Sequence, residues 1–406
     1  MPYNNYNSRP SNSRRRSYGN NRNRSGGNRN RGMVKGRGQY IDPAKFVRKA
    51  TITEAEVYVP VNTFADFEVH QLIKDNLTAK GYETPSPIQD QTIPHGLAGK
   101  DVIGLANTGT GKTAAFALPI LHKLMTNQHA KVLIIAPTRE LAQQIEDELR
   151  SIAKNSGLFG VLLIGGTPMG PQLRDLRAKP RVVIGTPGRI KDHLERGTLH
   201  LNTFNTVVLD EVDRMLDMGF IDDMRTILSQ LNAERQSFFF SATMDDSVRL
   251  LIATFSNDPV TVSVKTSDTS ENVHQNVIRY GSNADKIEKL HDALIQEEVE
   301  KVIIFDETQR SVERLNEELA ARGFATDAIH GGKSQGQRQR ALNKFKKSDV
   351  DILVATDVAA RGIDVKDITH VINYSIPQTY EDYTHRVGRA GRAGKTGHAL
   401  TFINNG

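Results

Sequence analysis

Val207-Val208-Leu209-Asp210-Glu211-Val212-Asp213 is the stretch that decides how this chain is read. Its three leading apolar residues predict a strand buried on both faces, the usual state in a parallel sheet. The strand runs straight into two adjacent carboxylates, with a third two positions later. In open α/β sheets ligands sit just beyond the carboxyl ends of the strands. Acids there are placed to hold a magnesium ion and handle a water molecule. Alone, the string is better read as a strand entering an acidic surface turn, so the sharper meaning depends on the rest of the chain.

Around this strand, short apolar runs alternate with amphipathic ones. Strands are expected at 101–106, 131–136, 181–185, 206–210 and 237–241, and again at 301–306, 326–330, 351–356, 370–374 and 398–402. Leu141, Ile145, Leu149 and Ile152 recur at helical spacing, as do Val312, Leu315 and Leu319, which gives each helix one buried stripe. Such alternation implies an α/β fold, with mostly parallel sheets flanked by helices. The run Lys265-Thr266-Ser267-Asp268-Thr269-Ser270-Glu271-Asn272 has no apolar residue and reads as a linker. The expected organisation is a first domain at 59–262, a linker at 263–272 and a second domain at 273–406. An extension at 41–58, with Ile41, Phe46 and Val47, precedes them and docks locally. A cleft between two such domains suits a ligand whose chemistry changes how they meet.

Composition narrows the class. At 406 residues the chain has room for two or three domains, and without cysteine it has neither disulfides nor cysteine-held zinc. The apolar runs at 132–136 and 161–164 are too short to span a bilayer, and the N-terminus lacks a signal-peptide core. A cytoplasmic protein that does not enter the membrane is expected. The net charge of +6 is uneven: residues 1–40 hold ten Arg and Lys and no acid, leaving −4 (6 minus 10) on the remainder. This Asn-, Arg-, Gly- and Ser-rich tail cannot bury enough apolar surface to offset its chain entropy, so disorder is expected. It suits a cationic arm that follows phosphates and stacks Tyr or Arg on bases, or a solubilising tail.

Asn107-Thr108-Gly109-Thr110-Gly111-Lys112-Thr113 lies between a strand ending at Ala106 and a helix opening Ala114-Ala115-Phe116. This is a phosphate-binding loop: glycines let backbone N–H groups curl around phosphate oxygens, and the helix N-terminus favours anions. Lys112 supplies a point charge to the β- and γ-phosphates, and Thr113 a hydroxyl for magnesium. The strict pattern begins with Gly, where this chain has Ala106. Asp210, about 100 residues later on another strand, is then the expected magnesium-holding acid. Glu211 is placed to orient or deprotonate the attacking water.

Further strings follow in one order between residues 64 and 394. They are Phe64 with Gly81-Tyr82 and Thr84-Pro85-Ser86-Pro87-Ile88-Gln89, then Pro137-Thr138-Arg139-Glu140-Leu141, Gly165-Gly166 and Thr186-Pro187-Gly188-Arg189. After Ser241-Ala242-Thr243 come Gln335-Gly336-Gln337-Arg338, Thr356, Ala360-Arg361-Gly362-Ile363-Asp364 and His385-Arg386-Val387-Gly388-Arg389-Ala390-Gly391-Arg392. With them the chain resembles the DEAD-box ATP-dependent RNA helicases of superfamily 2. The family's naming string has Ala where this chain has Val212.

The resemblance implies two RecA-like domains that use ATP and Mg2+. It puts Gln89 on the adenine edge with Phe64 or Tyr82 packed on the base, and Asn107, Thr108, Gly109, Thr110, Gly111, Lys112 and Thr113 on the phosphates. Asp364 would meet the ribose, and Arg389 and Arg392 would be arginine fingers on the γ-phosphate. RNA contacts, mainly to the backbone, would come from Pro137, Thr138, Arg139, Gly165, Gly166, Thr186, Pro187, Gly188 and Arg189. Gln335, Arg338, Thr356 and Arg361 would supply them in the second domain. Asp213, Ser241, Thr243, His385 and Arg386 would couple the two sites, with His385 facing Asp213 and Thr243. Residues 386, 389 and 392 share one face only if a helix persists through Gly388 and Gly391; a loop is the alternative, as is an RNA-binding patch at Arg386. The expected activity is ATP-driven clamping of RNA and local unwinding of short duplexes or remodelling of RNA–protein complexes, by a monomer. A nucleotide-gated clamp or annealing factor, and a DNA helicase of the same superfamily, are the alternatives.

Overall fold

The structure is a computed structural model that describes residues 41–50, 58–107, 109–264, 272–360, 365, 367–391 and 395–405. The cationic tail at 1–40, linker residues 265–271, and Thr108, Arg361, Asp364 and Arg392 lie outside the described residues.

After a 3-10 turn at Pro43–Phe46, the first half runs α1 (Gln71–Ala79), α2 (Pro87–Leu97), β1 (Val102–Leu105), α3 (Lys112–Thr126), β2 (Val132–Ile135) and α4 (Arg139–Ile152). It continues with β3 (Gly160–Leu163), α5 (Met169–Arg177), β4 (Val182–Gly185), α6 (Pro187–Glu195), β5 (Thr206–Leu209) and α7 (Val212–Asp217). It closes with α8 (Ile221–Ser229), β6 (Gln236–Ser241), α9 (Asp246–Phe255) and β7 (Val260–Ser263). The second half comprises β8 (Val273–Tyr280), α10 (Asn283–Leu294), β9 (Val302–Phe305), α11 (Gln309–Ala321), β10 (Thr326–Ile329) and α12 (Gln335–Lys346). Then come β11 (Ile352–Ala355), α13 (Asp357–Ala360), β12 (His370–Asn373), α14 (Tyr380–Val387) and β13 (Gly397–Asn404).

Each half builds one sheet, ordered β3-β4-β2-β5-β6-β1-β7 and β10-β11-β9-β12-β13-β8. Alternation along the central strands feeds two cores per sheet. In the first, Ile134, Val208, Phe238 and Phe240 join Phe116 and Ile145 of α3 and α4. Their neighbours Leu133, Val207, Leu209 and Phe239 join Ile190, Ile227 and Leu251 on the opposite face. The second sheet divides likewise, with Ile303, Phe305 and Leu353 on one face and Ile304, Val354 and Ile372 on the other.

Within both sheets every described pairing is parallel. The antiparallel pairing among the described residues is the isolated bridge between Arg48 and Gln275. Uniform strand direction has a functional consequence. In the first domain the turns after β1, β2, β3, β4, β5 and β6, which carry the quoted strings, all open on one edge of the sheet. Among the described residues no helix is long and apolar enough to cross a membrane.

Candidate nucleotide and RNA site

The phosphate loop is held open by the helix before it. Gly111 adopts φ +94, a left-handed conformation that glycine takes without strain, and Cβ at this position would run into the Gln89 amide. Ser86 and Gln89 cap α2 reciprocally, Gln89 Oε1 accepting from Ser86 N at 2.9 Å. Gln89 Nε2 donates to Gly111 O at 3.0 Å, and Ser86 Oγ to Thr110 O at 2.7 Å. One N–H and one lone pair of the Gln89 amide remain for a ligand. Phe64, expected on the base, is buried edge-on between Phe67 and Tyr82 at centroid distances of 5.9 and 5.3 Å. Tyr82 donates its hydroxyl to Glu148 at 2.7 Å. Both rings therefore brace each other and the α1–α4 surface.

Lys112 opens α3, and its Nζ lies 4.0 Å from Asp210 Oδ1. Both residues are buried, and neither of these two atoms has a hydrogen-bond partner. Burial pushes the Asp210 carboxyl up to about 6, against the attraction of Lys112. Glu211 sits at φ 55, ψ 58, a left-handed conformation unusual outside glycine and typical of strained functional turns. The turn is fastened to the end of β6. Asp213 Oδ2 accepts from the backbone N–H groups of Ala242 and Thr243, each at 2.9 Å, and from Thr243 Oγ1 at 3.2 Å. The Asp213 N–H donates to Ser241 Oγ at 3.3 Å. Val212 is fully buried in the core shared with Leu209, Met215 and Val248. The donor set suits magnesium: Thr113 and Asp210 offer oxygen ligands, and this ion binds through one or two carboxylates plus substrate phosphates.

The first-domain strings expected on RNA come together on one surface. The Arg139 guanidinium lies over Gly165 and Gly166, where a Cβ on Gly166 would collide with it. Both terminal nitrogens of Arg189 donate to Thr167 O, at 3.3 and 3.4 Å. Two arginines thus flank the half-buried backbone at Gly165–Thr167, where Gly166 is exposed, next to exposed Gly188. Thr138 and Thr186 are buried N-caps of α4 and α6, and Pro187 fills the first position of α6. Their part is to aim the loops. Pro137 is buried with them.

Several expectations for the second domain need correction. Gln335 and Arg338, expected on RNA phosphates, are buried against Glu140 of the first domain. Arg338 Nη2 lies 2.8 Å from Glu140 Oε2, and Gln335 Nε2 3.4 Å from Glu140 Oε1. Burial pulls the Arg338 pKa down, and Glu140 offsets part of that. Glu140 entered the sequence reading only within the string Pro137-Thr138-Arg139-Glu140-Leu141, with no role of its own. Arg386 serves its own domain: it grips Asp357 with two bonds of 2.6 and 2.7 Å and also donates to Asn373 Oδ1 and Ser375 O. A buried guanidinium needs several acceptors, and this set supplies them. The helix α14 ends at Val387 with Gly388 as its cap, so Arg389 sits in the turn beyond rather than on a continuing helix. His385 lines a small cleft with Arg214, the neighbour of Asp213, and with Arg389, its Nε2 3.7 Å from Glu381. Thr356 is buried at the start of α13.

Residues 86–251 match the DEAD/DEAH box helicase family, and residues 285–394 match the helicase conserved C-terminal domain. The ATP-dependent RNA helicase CshA of Listeria monocytogenes is 45% identical over 341 residues, covering 84% of this chain and 66% of that protein. The DEAD-box ATP-dependent RNA helicase CshA of Geobacillus kaustophilus is 46% identical over 345 residues, 84% of this chain and 74% of that protein. The chain thus spans about two thirds to three quarters of these relatives' length. Among solved structures, Mss116p bound to ssRNA and AMP-PNP matches with a TM-score of 0.74 and 32% identity, over 83% of this chain and 73% of that one. Dbp5 of S. cerevisiae bound to RNA and ADP BeF3 matches with a TM-score of 0.73 and 27% identity, over 85% and 90% of the two chains.

Proposed function

The chain belongs to the DEAD-box family of ATP-dependent RNA helicases, and from that premise we propose how its residues couple ATP hydrolysis to RNA clamping and local duplex opening. The observation that carries the proposal is the buried pair Lys112 Nζ and Asp210 Oδ1, 4.0 Å apart and each without a hydrogen-bond partner. Leaving such groups unsatisfied is costly, and a magnesium–triphosphate complex supplies what both lack.

In this reading Lys112 pairs with the β- and γ-phosphates, while Thr113, Asp210 and the backbone N–H groups of 107–111 hold the rest of the complex. Magnesium, when bound, neutralises charge on the β- and γ-oxygens. Glu211 takes a proton from the attacking water as oxygen bonds to the γ-phosphorus and the bond to the ADP oxygen breaks. Arg389 and Arg392 stabilise the charge on the transferring phosphoryl group, a role worth about 10³–10⁵ in rate elsewhere. Asp364 meets the ribose, and Gln89 the adenine, with Phe64 bracing the wall beside it. The Asp-Glu-Val-Asp turn works as a variant of the family string, with Val212 absorbed by the core.

RNA lies along Arg139, Gly165-Gly166 and Arg189 in the first domain, proposed as 59–262, and along Thr356 and Arg361 in the second, proposed as 273–406. Arg338 and Gln335 hold the domains together through Glu140 instead of touching RNA. Asp213, fastened to Ser241–Thr243, links the acid turn to β6. Because ATP and RNA both draw the domains together, each strengthens binding of the other.

ATP hydrolysis measured with and without RNA, together with strand displacement from a short duplex, tests the reading. The native chain is expected to show RNA-stimulated turnover and displacement, and Glu211→Gln to bind ATP and RNA while losing both. Turnover without displacement would make the chain a clamp or annealing factor. Normal hydrolysis by Glu211→Gln would remove Glu211 from the chemistry.

A further inference from the structure

The segment ahead of the first domain docks on the second. Asp42 caps the Pro43–Phe46 turn, accepting from Ala44 N at 2.9 Å. The turn buries Phe46 and Ile41 in the core formed by Val273, Tyr383, Val387 and Ile403. The Phe46 ring lies 4.7 Å from that of Tyr383, and Lys45 Nζ 5.5 Å from the centre of Tyr380. Arg48 then pairs with Gln275 on the outer edge of β8, Arg48 N to Gln275 O at 3.0 Å and Gln275 N to Arg48 O at 2.8 Å. Ala50 N donates to His274 Nδ1 at 3.2 Å.

The same stretch of chain is fixed at a second place, on the first domain. Tyr58 Oη and Val61 N donate to Asp90 Oδ2 at 2.6 and 2.8 Å, and Asn62 N and Nδ2 to Asp90 Oδ1 at 3.0 and 2.7 Å. Asp90 follows Gln89, whose amide holds the phosphate loop. Only residues 51–57 separate the two attachments.

The docking surface is one face of α14. Tyr380, Tyr383 and Val387 fall at helical spacing on the side that meets the segment and the core. Asp382 and His385 lie on the other side, and with Arg389 just beyond the helix they line the cleft shared with Arg214 of the first domain. A shift of α14 at its outer face therefore moves Arg389 at the inner one. The segment is not needed to complete the sheet, because β8 is already paired with β13 along eight positions.

We propose that residues 41–50 are an intramolecular positioning element, in which Phe46 and the Arg48–Gln275 bridge hold α14 so that Arg389 meets the nucleotide. The proposal rests on Arg389 acting at the γ-phosphate. Phe46 is a positioning residue, acting only through α14, so it governs turnover in the closed state and not nucleotide capture by the first domain.

Phe46→Ala, Phe46→Leu and Arg48→Pro in the full chain test this. The proline removes the N–H that bonds Gln275 and leaves Phe46 and the second domain's own side chains intact. RNA-stimulated kcat is expected to fall about tenfold in Phe46→Ala and Arg48→Pro, and to recover at least halfway in Phe46→Leu. Affinity for a fluorescent ADP analogue without RNA is expected to stay within about twofold of the native value. Native kcat in either of the first two variants overturns the proposal, as does a parallel loss of ADP-analogue affinity or a Phe46→Leu no better than Phe46→Ala. Absence of RNA stimulation in the native chain would instead count against the helicase reading itself.

Discussion

Replacing Glu140 by Ala leaves Arg338 buried with its carboxylate partner gone. The Arg338 and Glu140 side chains are 7% and 2% exposed, and their closest atoms are 2.8 Å apart. Removing one member of such a pair typically costs about 3–5 kcal/mol, because the survivor is an uncompensated buried charge. The cost falls on one arrangement only. When the domains part, Arg338 is rehydrated, so the penalty acts on their association and not on the folding of either. At about 3 kcal/mol, the equilibrium between joined and separated domains shifts roughly 10²-fold toward separation.

The assay is RNA-saturated ATP hydrolysis, with dyes on α4 and α12 reporting the interdomain distance. Turnover and the fraction joined are expected to fall together by up to about 10², with nucleotide affinity in the absence of RNA unaltered. Arg338→Met should be similarly damaging, since it strands Glu140. The pair Glu140→Leu with Arg338→Met removes both charges and should recover most of the loss; with Glu140→Leu alone as the matching single variant, the cycle should be strongly non-additive. Losses that simply add, or a Glu140→Ala enzyme that still closes, would refute the assignment of this contact as the interdomain fastening.

Acid should weaken the second domain through His370, which stacks on His398 at 4.7 Å. Burial and the neighbouring His398 lower its pKa from 6.5 to about 4. The unfolded chain therefore binds more protons between these values, so this contribution is intact above 6.5 and is lost as pH falls. Between pH 7 and 5 the loss is about 2 kcal/mol, and calorimetry should find it missing in His370→Phe; equal pH slopes in both proteins would sink the idea. Gly111→Ala places Cβ against the Gln89 amide in a left-handed backbone, adding about 1–2 kcal/mol of strain. Nucleotide affinity should drop at least about tenfold, with nucleotide-free RNA binding preserved, and unaltered titration of an ADP analogue would show that the loop does not need glycine there.

The central strands and motif loops were legible because burial on both faces writes continuous apolar runs, as in Val132–Ile135 and Thr206–Leu209. Two of the strands that escaped, β7 and β8, lie at sheet edges, where one face is half exposed and the run is broken. Arg139 and Gly166 could be assigned to one ligand but not to each other, since their contact joins loops separate in the chain. The roles of Arg338 and Arg386 were hidden for a related reason. An arginine advertises affinity for an anion, and whether that anion is phosphate, Glu140 or Asp357 depends on which carboxylate the fold brings near. Glu211 concealed its positive φ because nothing in a glutamate's neighbours signals one.

The docking of Phe46 also sets an order of events during synthesis. Its surface on the second domain includes Val273 at the start of β8 and Ile403 near the end of β13, and β8 has β13 as its sheet neighbour. Residue 50 leaves the ribosome roughly 350 residues before β13 is finished, a delay on the order of 20–70 s at common elongation rates. Through that interval Phe46 and Ile41 have no place to bury, while the first domain already has every strand of its sheet. The nascent chain therefore carries a short, unburied apolar segment beside a highly basic tail until β13 is in place.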